Sequence, residues 1–268
     1  MAYVSGVILP LAYTLLSGTA VAVARALGMV MLTPAFNRLG LTGMIRSAVA
    51  VVISLPIIPD VLQAVMQDAH PPGVLMIAMI LMKELTVGCI IGLVFGVPFW
   101  AAEVAGDLVD LQRGSTMAQL VDPASTSEST IMATLMMIAM VALFFASGGF
   151  LLLLDGFYKS YEIWPAASIA PVLRDNAFAL ILGLLDSIMK TALLIIAPVV
   201  VALLIAETML AFLSRMSPQM HIFDLSLAIK NLLFCVIILI YAAFLVPLLV
   251  EQMGTLRNAP DLLRAIGG

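Results

Sequence analysis

Long apolar runs constrain this chain more than any other feature of its sequence. An α-helix needs about 20 predominantly apolar residues to cross the hydrocarbon layer of a bilayer. The runs 131–154 and 232–250 contain no charged residue at all. Six runs are long enough, and they cover residues 7–34, 47–65, 74–102, 131–154, 177–213 and 232–250. We therefore predict an all-α, polytopic membrane protein built of helical hairpins, with about six long apolar helical segments.

The composition excludes several classes of protein. Hydrophobic residues make up 63% of the chain and charged residues 10%, against about 45–50% and about 25% in soluble domains. So much apolar surface must face lipid or other subunits. The formal net charge is −4 and no basic cluster is present, whereas nucleic-acid binding needs clustered basic side chains. We therefore predict a membrane-embedded chain that does not bind nucleic acid.

The run 177–213 is longer than one crossing requires. It contains Pro198 together with Asp186, Lys190 and Glu207. Proline commonly kinks or interrupts a helix, so we predict that this segment is kinked or broken. Residues four apart lie on one helix face, so Asp186 and Lys190 are expected to pair. An even number of spans places both termini on one side, but lysines and arginines are too evenly distributed to say which side.

No residues with a catalytic or metal-binding pattern are evident. Cys89 and Cys235 lie in separate apolar runs, and His70 and His221 have no carboxylate or cysteine at ligand spacing. Sequence motifs of zinc proteases, serine hydrolases and phosphate-binding loops are absent from the sequence. We predict that the protein is not an enzyme and that it requires neither a metal nor a cofactor.

Charges and glycines inside the run 74–102 allow two interpretations. Gly88, Gly92 and Gly96 lie on one helix face, where another backbone can approach closely, either within the chain or in another subunit. Lys83 and Glu84 are adjacent, so we expect that they do not pair with each other and that each needs another partner. They form either a functional polar site within the membrane or a structural ion pair. Farther along, Trp164 is typical of an interfacial aromatic belt.

Short motifs in a fixed order cover most of the chain. The motifs are Arg25-Ala26-Leu27-Gly28, Pro34-Ala35-Phe36 and Arg46; Lys83-Glu84 with Gly88 and Gly92; Ala105-Gly106-Asp107 with Asp110, Gln112, Gly114 and Asp122-Pro123; and Ala206-Glu207 with Arg215, Pro218-Gln219, Phe223 and Lys230. Together they resemble the T subunit of the bacterial type III secretion export apparatus, whose flagellar counterpart is FliR. The sequence departs from the family pattern at His221, where Asn is expected, and at Ala228, where Pro is expected.

The resemblance implies a structural subunit of a protein-conducting gate rather than an enzyme. In the family, one such chain joins five R-type and four S-type subunits in a helical collar, and secreted polypeptides pass through it. It implies a single export-gate domain over residues 1–268, in which residues 1–175 are R-like and residues 176–268 are S-like. The expected location is the bacterial inner membrane, in the base of the secretion system with its other membrane proteins. The injectisome branch, associated with virulence, is favoured over the flagellar branch.

By the same resemblance, residues 106–122 are expected to form a flexible loop that plugs the pore. Gly106 and Gly114 would give the backbone freedom, while Met117 and Leu120 would give apolar contacts. The alternative is a solvated connection between two helices. The candidate plug residues are Gly106, Asp107, Asp110, Gln112, Arg113, Gly114, Ser115, Met117, Leu120 and Asp122.

A second set of residues is expected to make subunit contacts or to pack the helices. Buried charges need partners, and the sequence offers Lys83, Glu84 and Glu207 few within the chain. The full set is Arg25, Pro34, Lys83, Glu84, Gly88, Gly92, Gly96, Glu207, Arg215, Pro218, Gln219, Phe223 and Lys230. The alternative function is a small-solute secondary transporter, with these intramembrane charges and the proline-containing helix lining a central site.

Overall fold

A computed structural model describes residues 2–38, 40, 42–66, 73–114, 130–216 and 222–267, with side chains described from residue 12 onward except at 65–66 and 222–224. All regular elements in these ranges are helices, which confirms the predicted all-α class. In chain order they are α1 (Ala2–Leu32), α2 (Pro34–Asn37), α3 (Gly43–Ser54), α4 (Ile58–Met66), α5 (Val74–Arg113), α6 (Ile131–Ala146), α7 (Gly149–Ile163), α8 (Ala177–Met216), α9 (Ile222–Thr255), the 3₁₀ helix η1 (Leu256–Asn258) and α10 (Ala259–Gly267).

Within the described residues, four helical segments are long and apolar enough to cross a membrane. They are Ala12–Leu32, Val74–Arg113, Ala177–Met216 and Leu225–Gly267. Two further candidates are bent pairs, α3 with α4 and α6 with α7, so that up to six spans are present by length and composition. This agrees with the number of apolar runs and makes the chain a multi-pass membrane protein.

The two bent pairs depart from straight spans. Run 131–154, predicted as one helix, is instead divided between α6 and α7, which are bent by 72°. Gly148 lies between them with a φ of +80°, a left-handed conformation that side chains disfavour and glycine tolerates. The pair α3 and α4 is bent by 71° near Pro56, a residue that cannot donate a backbone hydrogen bond.

Helix α8 decides between the two forms predicted for run 177–213. It runs without a break from Ala177 to Met216, with Pro198 inside it, so the segment is not broken, and a kink at Pro198 stays a prediction. Membrane helices tolerate an internal proline when neighbouring groups satisfy the freed carbonyl. The length of α8 therefore belongs to one continuous element.

The chain forms two compact units that alternate along the sequence. Unit 1 comprises Met1–Val97, Gly148–Leu184 and Thr255–Gly268, and unit 2 comprises Pro98–Ser147 and Leu185–Gly254. The division of the chain near residue 175 into R-like and S-like halves concerns similarity to other subunits and stays a prediction.

Unit 1 has a core in which α1 packs on its neighbours. Val21 and Ala22 of α1 are buried together with Val61 of α4, Ile80 of α5 and Ala166. Two glycines on α1 allow this close packing, because an added methyl group would collide with Leu62 of α4 at Gly18 and with the Leu85 carbonyl of α5 at Gly28. The tight contact of α1 with α5 positions the charged residues described next.

Candidate functional site

Three charged side chains are buried together in unit 1. Arg25 of α1 and Glu84 of α5 are both 0% exposed, and Lys83 of α5 is 3% exposed. Charged residues are rarely buried this completely unless they are paired. We call these three residues the buried charge cluster.

Glu84 is the anion that both cations of the cluster share. Nε of Arg25 lies 2.5 Å from Oε2 of Glu84, and Nη2 lies 3.0 Å from Oε1, which forms a bidentate ion pair. Nζ of Lys83 lies 2.6 Å from the same Oε1. The prediction that adjacent Lys83 and Glu84 cannot pair is therefore wrong, because the flexible stem of the lysine brings its ammonium group round to the carboxylate.

Backbone carbonyls after α7 accept the remaining hydrogen bonds of the two cations. Nη2 of Arg25 donates to the Trp164 carbonyl at 2.7 Å, and Nζ of Lys83 donates to the Pro165 carbonyl at 2.8 Å. Arg25 also donates to Oγ of Ser160 at 2.9 Å. These carbonyls follow the end of a helix, where the helix dipole carries partial negative charge. The expectation that the chain offers Lys83 and Glu84 few internal partners is thus incorrect.

Two aromatic residues complete this region. The ring of Tyr161 lies 3.6 Å from Cζ of Arg25, a cation–π contact. Trp164 is 1% exposed, and its indole N–H donates to the Val172 carbonyl at 2.8 Å. Trp164 is thus a buried residue of unit 1 and not part of an interfacial belt. The contacts of Arg25 with this region have no direct sign in the sequence, since Ser160 and Trp164 lie 135 and 139 residues from Arg25.

Glycines on α1 and α5 allow the cluster to form. A Cβ atom on Gly88 would lie 2.0 Å from the Arg25 carbonyl oxygen, and one on Gly28 would lie 2.3 Å from the Leu85 carbonyl oxygen. A Cβ atom on Gly92 would lie 2.8 Å from the Met29 carbonyl oxygen. The packing interpretation therefore applies to Gly88 and Gly92.

Two other predicted packing residues are also buried. Gly96 is buried farther along α5, and Pro34 is buried at the start of α2. Both lie in unit 1. Their burial fits the predicted packing role.

The first part of the predicted plug loop is helical. Helix α5 continues to Arg113, so Gly106, Asp107, Asp110, Gln112 and Arg113 all lie in it. Gly106 does not supply backbone freedom, because its Cβ position lies 2.4 Å from Cα of Ala133, which makes it a packing residue. Gly114 does adopt a left-handed conformation, with a φ of +78°. Ser115, Met117, Leu120 and Asp122 lie outside the described residues.

Polar contacts join the end of α5 to the start of α6. Asp110 is 0% exposed and accepts a 2.8 Å hydrogen bond from the backbone N–H of Met132. It also accepts a 2.6 Å hydrogen bond from Nε of Arg113. Oγ1 of Thr130, the N-cap residue of α6, donates to Asp107 at 3.0 Å. The two elements that flank residues 115–129 are thus fixed to each other, and we call these contacts the α5–α6 clamp.

The remaining candidate residues lie in the second half of the chain. Glu207 is about half exposed, and its carboxylate lies 3.9 Å from Nζ of Lys230. Arg215 is exposed. Pro218 and Gln219 lie outside the described residues, as does the side chain of Phe223.

Other charged groups lie outside the cluster and the clamp. Asp186 and Lys190 form the predicted pair at 2.9 Å on an exposed face of α8. Among the described residues, no group of three or more histidine, cysteine, aspartate or glutamate side chains is placed to hold a metal ion.

Comparison with known proteins identifies the family. Residues 16–256 match the sequence model of the family described as bacterial export proteins, family 1. The chain belongs to this family. The match includes the buried charge cluster, the α5–α6 clamp and most of the apolar helices. This export protein is therefore a type III export apparatus protein of the SctT/FliR family.

Relatives from several secretion systems resemble this export protein. It is 35% identical to Yop proteins translocation protein T of Yersinia pestis over 159 residues, which are 59% of the chain and 61% of that relative. It is 29% identical to surface presentation of antigens protein SpaR of Salmonella typhimurium over 236 residues, 87% of the chain and 86% of the relative. It is 28% identical to flagellar biosynthetic protein FliR of Escherichia coli over 141 residues, 53% of each chain. These similarities support a role in protein export.

Proposed function

We propose that this protein is a non-enzymatic structural subunit of the type III export gate. One copy would join five R-type and four S-type subunits in the bacterial inner membrane and form a channel for unfolded polypeptides. The match of residues 16–256 to the export family carries this proposal. The injectisome branch is favoured because the Yersinia relative is 35% identical and the flagellar relative from Escherichia coli 28%.

Apolar surface on unit 2 supports an assembly of several subunits. Large side chains such as Phe212, Leu239 and Phe244 are 68–78% exposed. Only 17% of the most apolar window in Leu225–Gly267 is buried within the chain. Other subunits or lipid must cover such surface, because exposed apolar patches of this kind are unfavourable in water. The buried charge cluster, in contrast, uses its charges internally and leaves them unavailable to a transported solute.

We further propose that the segment following α5 plugs the closed channel. A gate that passes an extended polypeptide needs a removable obstruction to limit ion flow when it is idle. The α5–α6 clamp supports this role, because it gives the intervening residues 115–129 a fixed base. The left-handed conformation at Gly114 supports a change of chain direction directly after α5. The plug would then comprise residues 115–122 on a helical base of residues 106–113.

Deletion of residues 115–119 tests the plug in the assembled complex. The variant should conduct ions across a bilayer in the absence of substrate, whereas the unaltered complex should not. A matched control replaces the same five residues with glycine and serine, which keeps the length of the segment but removes the Met117 side chain. Unchanged ion leakage after the deletion would overturn the plug while leaving the subunit proposal intact.

Co-expression tests the proposed subunit contacts. Together with R-type and S-type subunits, the chain should purify in one defined complex. Glu207→Gln should lower the yield of S-type subunits, because Glu207 is exposed and its ion pair with Lys230 is long. Asp186→Asn is the matched control, because Asp186 is also exposed but pairs within its own helix. Equal yields of S-type subunits from both variants would contradict the role of Glu207. Flux of a small solute across a membrane by the purified chain alone would instead support the alternative function, a transporter.

A further inference from the structure

An open groove of about 390 Å³ lies on unit 1 between α4 and the end of α7. Val61, Ala64 and Ala166 provide apolar lining, and the rings of Tyr158 and Tyr161 line the same space. The groove therefore offers apolar and aromatic contacts together. We call it the α4–α7 groove.

Two carboxylates lie in the lining of this groove. Asp60 of α4 and Glu162 of α7 both have exposed side chains. Within the described residues neither forms an ion pair, in contrast to Asp155, which pairs with Lys159 on the same helix. The buried charge cluster next to the groove carries a net charge of +1, and the two carboxylates carry −2. The region therefore lacks one positive charge for local neutrality.

The walls of the groove are fixed by contacts from inside the unit. Tyr161 stacks on Arg25, and Tyr158 donates a 3.0 Å hydrogen bond to the Ile53 carbonyl. Pro165, which also lines the groove, has its carbonyl held by Lys83. A preformed surface binds with a smaller loss of conformational entropy than a surface that must order on binding. The groove is thus prepared for an occupant and does not collapse around its own side chains.

We propose that the α4–α7 groove binds a segment of another membrane protein that carries a lysine among apolar residues. The apolar lining would accept the lysine stem and its neighbours, and the ammonium group would contact the carboxylates and tyrosine rings. A lysine in an apolar segment needs such an anionic partner when it leaves water. This inference is independent of the plug and of the proposed R-type and S-type contacts.

Zero-length cross-linking of the purified secretion-system membrane complex tests the proposal. A carbodiimide joins a carboxylate directly to a lysine amine only when the two are in contact. Mass spectrometry should find Glu162 or Asp60 linked to one specific lysine of another chain. Both carboxylates should also react with added glycine ethyl ester at least fivefold more slowly than Asp261, an exposed carboxylate of the same unit. Reaction as fast as that of Asp261 would overturn the proposal.

Charge variants separate the proposed contact from other occupants. Asp60→Asn combined with Glu162→Gln should abolish the cross-link and lower retention of the linked protein by up to about fivefold, the upper end of the range for an exposed ion pair. Exchanging the two charges should restore retention of the linked protein. In this exchange Glu162→Lys is combined with a change of the partner's linked lysine to glutamate. The proposal would be overturned if the two carboxylates are protected from glycine ethyl ester but are linked to no lysine. It would also be overturned if a bound lipid occupies the groove.

Discussion

Replacing Glu84 by glutamine should be the most damaging single change in the buried charge cluster. The Glu84 carboxylate makes three contacts of 3.0 Å or less, two with the guanidinium group of Arg25 and one with the ammonium group of Lys83. Without its charge, two cations are left in a fully buried position with no anion. Removing one partner of a buried ion pair costs about 3–5 kcal/mol. We expect Glu84→Gln to lower the free energy of unfolding by about this amount.

Lys83→Met provides the informative comparison, because it leaves a neutral Arg25–Glu84 pair in place. The loss should then be limited to the hydrogen bonds of the lysine and the carbonyls it leaves without a donor, about 1–3 kcal/mol. Asp186→Asn, which removes an exposed pair on α8, should have no measurable effect. Thus the order of destabilisation should follow the uncompensated charge and not the number of atoms removed.

Denaturant titration in detergent micelles measures these differences. Trp164 is a suitable fluorescent probe because its indole is buried in the folded protein and its carbonyl lies beside Arg25 of the cluster. Trp100→Phe would remove the other tryptophan. The reasoning is refuted if Lys83→Met is as destabilising as Glu84→Gln, or if Glu84→Gln behaves like the exposed control on α8.

Three further changes test the packing and the bends. Gly88→Ala should destabilise the protein, because its methyl group would collide with the backbone of α1. Gly183→Ala has open space around it and should instead stabilise α8 by up to about 1 kcal/mol. Thermal unfolding of the two variants measures both effects. Gly148→Ala should cost about 1–2 kcal/mol from its left-handed backbone alone, and a bend that tolerates alanine without loss of stability would contradict this. Asp110→Asn should speed hydrogen exchange at the Met132 amide by weakening the α5–α6 clamp, and unchanged exchange would mean that the carboxylate charge is not needed.

The sequence was sufficient to predict the helical class and the number of apolar segments, because lipid-soluble helices need long uninterrupted apolar runs. It was not sufficient to place the bends. Gly148 lies in a run without any charged residue, and the absence of charge does not report a left-handed φ angle. Pro198 does not break its helix, because α8 continues through it, and a proline in an apolar run did not by itself distinguish a kinked helix from a broken one.

The candidate residues were located more successfully than their partners. Lys83 and Glu84 stand out as charges within an apolar run, and Gly88 follows them at a spacing typical of close helix packing. Their partner Arg25 lies 59 residues from Glu84, and the carbonyl groups that accept from both cations belong to residues with no distinctive side-chain signal. Backbone acceptors cannot be recognised from residue type, so this half of the cluster becomes visible only in three dimensions.

The length of helix α5 was also underestimated, because the sequence predicted a loop where its last turns lie. Asp107, Asp110 and Arg113 made its last turns resemble a polar connection. These charges are instead used to join α5 to α6, so that polarity there reflects specific contacts and not exposure to solvent. A single sequence does not distinguish these two uses of a charged residue.

The alternation of the two compact units has a consequence for synthesis of the protein on the ribosome. Unit 1 begins with residues up to Val97 but also includes Gly148–Leu184 and Thr255–Gly268. The last of these segments contacts earlier parts of the unit. The Arg174 N–H donates to the Ile266 carbonyl at 3.0 Å, and Gly267 lies against the ring of Trp164. Unit 1 therefore cannot be complete until translation has passed through all of unit 2. The order in which segments leave the ribosome thus makes the first unit to begin folding the last to be completed.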